Sequence, residues 1–286
     1  MPSISSPVSV ELFPHDSVKE NRFDLLTTPK HTKAVQNQGK VYLVGAGTGD
    51  PELLTIKAYK TILQADVICY DNLVSDEILA LNTTAEKIYV GKKCHKHSMS
   101  QQDINGLLVT LAQQGKTIVR LKSGDPFIFG RGGEEMQTVI GAGVACESIA
   151  GITTALAVAN SINIPLTHRD YAQSVKFVTG FLKADTPNEQ YAELLADNQT
   201  VVFYMGLNTL PNLTQGLLQA GKSADTPFAI IANVSRHNEQ VLVGTLSTIQ
   251  ALQNDAKLPS PAVMIMGDVV SLYHQLNAPT LTYAAL

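Results

Sequence analysis

No two cysteines in this sequence are spaced for a metal site or a redox couple. The three present, Cys69, Cys94 and Cys146, form an odd, widely separated set without C-x-x-C, which excludes a disulfide framework and a zinc module and points to a cytoplasmic protein. A strong charge of either sign is also missing. The 21 Lys and Arg against 25 Asp and Glu leave a formal net charge of -4, so no global field attracts nucleic acid, and an anionic ligand must be met by local Arg and Lys. A small molecule is the expected partner. No apolar run reaches the roughly 18 residues of a membrane span. Residues 1–12 lack the basic start and apolar core of a secretory signal. Neither export nor a membrane role is expected.

What is present is enough apolar material for two cores, 44% hydrophobic over 286 residues. Residues 1–39, rich in serine, proline and mixed charge without an apolar period, read as a disordered extension. From Val41 onward, short β-branched runs at 41–44, 65–70, 87–90, 117–121 and 144–149 alternate with helical stretches, which predicts a parallel α/β sheet. After the alanine-rich helix near 152–160, strands at 175–179, 200–204, 227–232, 240–243 and 262–266 follow with hairpin-like spacing, so the second sheet is expected to be mixed. The fold class is α/β with two α/β domains, 40–163 and 164–286.

Two glycine-rich loops carry the chemistry. Val41 to Lys57 reads strand, Gly-Ala-Gly-Thr-Gly turn, helix, and Asp71 ends the next strand, as in a dinucleotide fold. The third fingerprint glycine is absent, however, because Asp50 and Pro51 stand there, and this argues against a pyrophosphate cradle. The second loop, Arg120-Leu-Lys-Ser-Gly-Asp-Pro-Phe-Ile-Phe-Gly-Arg-Gly-Gly-Glu-Glu135, follows an apolar strand. It is expected to project Lys122, Asp125, Arg131 and Glu134 from the carboxyl edge of the sheet, where open α/β sheets bind ligands. Asp71 is open to two readings, a turn or capping aspartate or a general base. Lys92 reads as solvated or as a proton donor, and Glu134 as a partner of Arg131 or of a ligand. His95 and His97 lie in a Lys-rich loop that opposes cation binding, so no metal is expected.

Taken in order, Val-Gly-Ala-Gly-Thr-Gly-Asp-Pro (44–51), Cys-Tyr-Asp-Asn-Leu-Val-Ser (69–75), Val-Gly-Lys-Lys (90–93), Gln-Gln-Asp-Ile-Asn (101–105), the 120–135 string, Gly-Ile-Thr-Thr-Ala (151–155), Ile-Pro-Leu-Thr-His-Arg-Asp-Tyr-Ala (164–172) and Tyr-Met-Gly-Leu (204–207) resemble the tetrapyrrole methylases over roughly residues 40 to 275. Within that family, the 120–135 and 164–172 strings resemble the members that methylate uroporphyrinogen III twice, at C2 and C7, to give precorrin-2 via precorrin-1 for sirohaem, cobalamin or haem d1. A later precorrin methylase and a catalytically silent paralogue are the alternatives.

The resemblance implies S-adenosylmethionine in a cleft between the two domains, S-adenosylhomocysteine as product, and a homodimer. Cofactor contacts are implied at Thr48, Ser123, Gly124, Asp125, Ile128, Thr153, Thr154, Met205 and Val234. The family usually has proline where Thr48 and Ala150 stand, and glycine where Ser123 and Val234 stand. Val234 would put a β-branched side chain into a ligand-facing turn. The reaction demands positioning and water exclusion, then a base to take a proton from the methylated ring. Asp71 is the implied base, with Lys92 and Arg131 beside it. Arg131 and Arg169 would grip the carboxylates of the macrocycle, Glu134 its pyrrole N–H groups, and Met205 would pack against the ring. The 39 residues ahead of the first strand are too few for the extra dehydrogenase and chelatase module of bifunctional sirohaem enzymes, so a monofunctional chain is expected.

Overall fold

The computed structural model describes residues 39–91, 99–180 and 191–278. The expected extension, and Lys92, Cys94, His95 and His97, fall outside them. Five strands, β1 (Lys40–Gly45), β2 (Val67–Tyr70), β3 (Glu86–Tyr89), β4 (Thr117–Lys122) and β5 (Ala145–Ile149), form an all-parallel sheet in the order β3-β2-β4-β1-β5. Helices α1 (Ile56–Leu63), α2 (Asp76–Ala80), α3 (Gln101–Gln113) and α4 (Gly132–Gly141) cover it. Both faces are buried. Val44, Ile68, Val119 and Leu121 pack with Ala58, Ile62 and Ile78 on one side, while Val41, Leu43, Val67 and Ile118 pack with Ile104, Leu108 and Val139 on the other. Burial on two faces is why these strands read as near-continuous apolar runs.

Local departures from the sequence reading have local causes. The first glycine loop does not run straight into a helix: Asp50 accepts the Glu52 N–H at 2.8 Å and opens a 3-10 turn at Pro51–Leu53, and Thr55 then caps α1 through the Ala58 N–H. Residues 65 and 66 stay outside β2, and the Asp66 carboxylate takes the Thr117 N–H at 2.7 Å.

The second sheet is mixed, as expected. Strands β6 (Ser174–Thr179), β7 (Gln199–Tyr204), β8 (Pro227–Ala232), β9 (Gln240–Thr245) and β10 (Ala262–Met266) lie in the order β6-β7-β10-β8-β9, with β6 and β7 parallel and the other pairs antiparallel. One face packs on helix Leu210–Gln219 through Phe203, Phe228, Leu213 and Leu217. The other receives helix α5 (Thr154–Ser161): its Ala155, Ala157 and Val158 join Val202, Ile231, Val263 and Ile265 in one cluster. Because α5 leaves the carboxyl end of β5, this packing draws the two sheets together around the loops that follow β1, β2, β4 and β5. No helix among the described residues is long and apolar enough to cross a membrane.

An edge ion pair gives the fold a pH dependence. Glu147 on β5 accepts from Lys40 of β1 at 2.6 Å and pairs with Lys57 of α1 at 2.5 Å. The hydrogen bonds from Lys40 and then Lys57 hold its carboxyl down at about 2. A carboxylate whose folded value is depressed stabilises the protein above its unfolded value, and that contribution is lost as pH falls through the folded one. A third of the side chain is exposed, so water screens much of the effect. Glu147→Gln is expected to cost less than about 1 kcal/mol at pH 7, with the gap to the parent closing as pH falls from the ordinary glutamate value toward about 2. Urea midpoints across that range test this, and a gap that persists in acid would refute it.

Candidate active site

The carboxyl ends of the parallel strands deliver the glycine loops to one place, and the loops lock onto each other. Gly47 and Gly124 exchange backbone hydrogen bonds at 3.2 and 2.7 Å, both in the left-handed region at φ 63° and 69°. Gly151 is needed for space: a Cβ there would lie 2.2 Å from the Gly124 carbonyl oxygen. Asp125 ties the same loops, its Oδ2 accepting from the Gly151 N–H at 3.1 Å and its Oδ1 from the Phe127 N–H at 2.8 Å. In the structure these glycines permit the close approach of one loop to another.

Beside them is a cavity of about 450 Å³ whose wall includes Thr48, Ser123, Thr154, Met205 and Val234, five residues implied as cofactor contacts. Gly124, Asp125, Ile128 and Thr153 do not line it. They set its frame instead, and Thr153 does so across the sheets: its hydroxyl meets the Tyr204 hydroxyl at 2.7 Å, which also accepts the Ala155 N–H at 2.9 Å. Tyr204, at the end of β7, thus caps α5 in place of the absent side-chain cap. Met205 follows with φ 57° and 48% exposure, a non-glycine residue in a sparsely populated conformation at a cavity wall. The Thr48 hydroxyl is buried without a partner among the described residues.

Val234 was expected to put a β-branched side chain into a ligand-facing turn. Its neighbours Asn233 and Ser235 take the positive φ values, 54° and 60°, and Val234 does not. Its side chain is buried in the apolar cluster of α5 and the second sheet. The turn therefore tolerates a β-branched residue here, with only part of its surface forming the cavity wall.

The charged residues divide differently from the sequence expectation. Lys122 was expected to project from the sheet edge; it is buried, with its Nζ 3.0 Å from Glu135 Oε1 and 3.9 Å from Asp71 Oδ2. Arg120, 2% exposed, donates from Nε to the same Glu135 oxygen at 3.2 Å and from Nη2 to Asp71 Oδ1 at 2.7 Å. Gln101 adds a third donor to Glu135 Oε1 at 3.1 Å. Burial, and then the Arg120 guanidinium, hold the Lys122 ammonium below the ordinary lysine range against the pull of Glu135 and Asp71. Sequence reasoning missed Arg120 and Glu135, though a signal existed. An arginine within the apolar run of a central parallel strand has no solvent face, so it must find a buried carboxylate.

Asp71 emerges from this network with 31% of its side chain exposed. Asn72 and Leu73, the next two residues, line the cavity. Arg131, at φ 59° before α4, binds Glu134 in a fork: Nε lies 3.1 Å from both carboxylate oxygens, and Nη2 2.5 Å from Oε2. Of the two readings of Glu134, the structure displays the pairing with Arg131. Arg169 is exposed on the 167–172 segment, and neither arginine lines the cavity. Among the described residues, no cluster of three or more His, Cys, Asp or Glu could hold a metal ion.

The sequence model of the Tetrapyrrole (Corrin/Porphyrin) Methylases matches residues 40–250. The siroheme synthase of Psychrobacter cryohalolentis is 55% identical over 250 residues, which cover 87% of this chain and 48% of that protein. The chain thus spans about half the length of the curated relatives it matches. The crystal structure of uroporphyrin-III-C-methyltransferase from Thermus thermophilus superposes with a TM-score of 0.72 at 38% identity, covering 84% of this chain and 99% of that one. The same enzyme complexed with S-adenyl homocysteine gives 0.70 at 37%, covering 82% and 100%. The family match takes in the whole first sheet, four of the five strands of the second and most of the residues that line the cavity, and on that ground the chain belongs to the tetrapyrrole methylases.

Proposed function

We propose that this chain is an S-adenosylmethionine-dependent C-methyltransferase that methylates uroporphyrinogen III at C2 and C7, giving precorrin-2 via precorrin-1, as a cytoplasmic homodimer. The observation that carries the reading is the junction of the cavity with Asp71, a partly open carboxylate held by a buried arginine one residue from the cavity wall.

The residues present fit the cofactor. The cavity volume lies within the about 300–1,000 Å³ usual for small-molecule sites, and the buried Thr48 hydroxyl has a hydrogen bond left to make. Thr48, Ser123, Thr154, Met205 and Val234 would hold S-adenosylmethionine, framed by Gly124, Asp125, Ile128 and Thr153. When bound, it supplies an electrophilic methyl group and a neutral thioether leaving group. Asp71 takes the proton that the methylated ring must shed. Arg131 and Arg169 grip carboxylates of the macrocycle, with the Glu134 fork giving way to substrate at Arg131. Met205 packs against the ring, and Lys92 is the proton donor. For the homodimer, support comes from the apolar stripe Ile56, Tyr59 and Leu63, exposed at helical spacing on α1.

The test is an anaerobic assay of the purified protein with uroporphyrinogen III and S-adenosylmethionine, reading product mass. A gain of two methyl groups is expected. No gain on this substrate, together with methylation of a later precorrin, would replace the reading with that alternative.

A further inference from the structure

Arg236 is the only charged side chain among the described residues that line the cavity. It sits on the turn after β8, whose shape is over-determined. Asn233 and Ser235 are both left-handed, Ser235 N–H donates to Glu239 Oε2 at 2.7 Å, Arg236 N–H donates to the Asn233 carbonyl at 3.0 Å, and Asn233 N–H donates to the Pro261 carbonyl at 2.9 Å. Strained residues held this firmly at a cavity rim mark a side chain aimed for a purpose. From the second sheet the guanidinium crosses to the first. Its Nη2 donates to the Leu73 carbonyl at 2.9 Å, and its stem lies beside Gly49, where a Cβ would come within 3.4 Å of Nε. A guanidinium has five N–H donors, and this is the one side-chain hydrogen bond it makes among the described residues.

The cofactor reading on which this inference rests puts a ligand in the cavity that carries a carboxylate at its amino-acid end. A carboxylate taken out of water needs a cation with donors to spare, and the rest of the described wall is uncharged. We propose that Arg236 is a cofactor-binding residue that recognises the α-carboxylate of S-adenosylmethionine, while its bond to Leu73 joins that recognition to the loop bearing Asp71.

Calorimetry with two ligands separates recognition from latching: S-adenosylhomocysteine, which has the carboxylate, and methylthioadenosine, the same thioether nucleoside without the amino-acid end. Arg236→Gln should weaken S-adenosylhomocysteine by about tenfold or more, the usual scale of a charge-assisted bond, and leave methylthioadenosine unchanged. Arg236→Lys should recover part of the loss. Equal losses for both ligands would make Arg236 a latch on Leu73 alone and overturn the assignment. Unchanged S-adenosylhomocysteine affinity with a raised KM for uroporphyrinogen III would overturn it in favour of a macrocycle carboxylate. If the parent protein binds neither nucleoside, the cofactor reading itself fails and this one with it.

Discussion

Asp71→Asn is expected to slow methylation by about 10²- to 10⁴-fold, the usual worth of a positioned general base, with S-adenosylhomocysteine binding as tightly as before. The substitution keeps the size of the side chain and one oxygen for the Arg120 bond now at 2.7 Å, but an amide cannot take the ring proton. The competing role, a capping or turn aspartate, has little to rest on in the structure. The loop bond at this position runs from the Val74 N–H to the Asp71 backbone carbonyl, whereas the carboxylate faces Arg120 and Lys122. Turnover measured under saturating cofactor, beside calorimetric affinity for S-adenosylhomocysteine, decides the matter. A variant with the parental rate would leave Asp71 as a structural partner of Arg120 and nothing more.

Glu135→Gln is expected to cost about 3–5 kcal/mol of stability, the typical result of removing one partner from a buried ion pair. Glu135 is 0% exposed, and one of its oxygens receives Arg120, Lys122 and Gln101 together while the other has no hydrogen-bond partner among the described residues. Without the charge, two buried cations would share Asp71 alone. The Lys122 ammonium, already held low by burial, would lose a carboxylate that pulls it up. A lysine whose folded value is depressed binds its proton more readily unfolded, so stability rises with pH between the folded value and the ordinary 10.5. The deficit should therefore be full at neutral pH and shrink on alkaline titration. Urea unfolding against pH tests both points, and a loss under about 1 kcal/mol would show that the network relaxes or hydrates. Replacing Arg120, Lys122 and Glu135 together by apolar residues of similar volume is expected to recover stability, because buried ion pairs return little more than their desolvation costs. It should not recover turnover, because Asp71 would have lost the donor that orients it.

Much of the fold was legible because its signals are local. The β-branched runs 117–121 and 262–266 became β4 and β10 almost residue for residue, since a strand buried on both faces has few alternatives to an apolar run. The hairpin-like spacing after position 227 foretold the antiparallel β8–β9 pair. Thr48, Ser123, Thr154, Met205 and Val234 meet at one cavity from five separate segments, which the family resemblance implied and periodicity could not. The boundaries that slipped, at residues 51–53 and 65–66, did so where a side chain of Asp50 or Asp66 captured a backbone N–H.

By itself the sequence determined the two sheets, their parallel and mixed characters, the two glycine-rich loops and the family, because hydrophobic period and short strings are written along the chain. Tertiary structure alone decided which charges those loops expose. Lys122 and Arg120 are buried because β4 is central in its sheet, and Glu135 reaches them only once α4 packs onto the sheet over the neighbouring β1 and β5. Tyr204 finds Thr153 across 51 residues, and Arg236 finds Leu73 across 163. The solvation of a charge and the identity of its partner depend on what the rest of the chain brings within a few ångströms, and the spacing of residues along the sequence does not encode that.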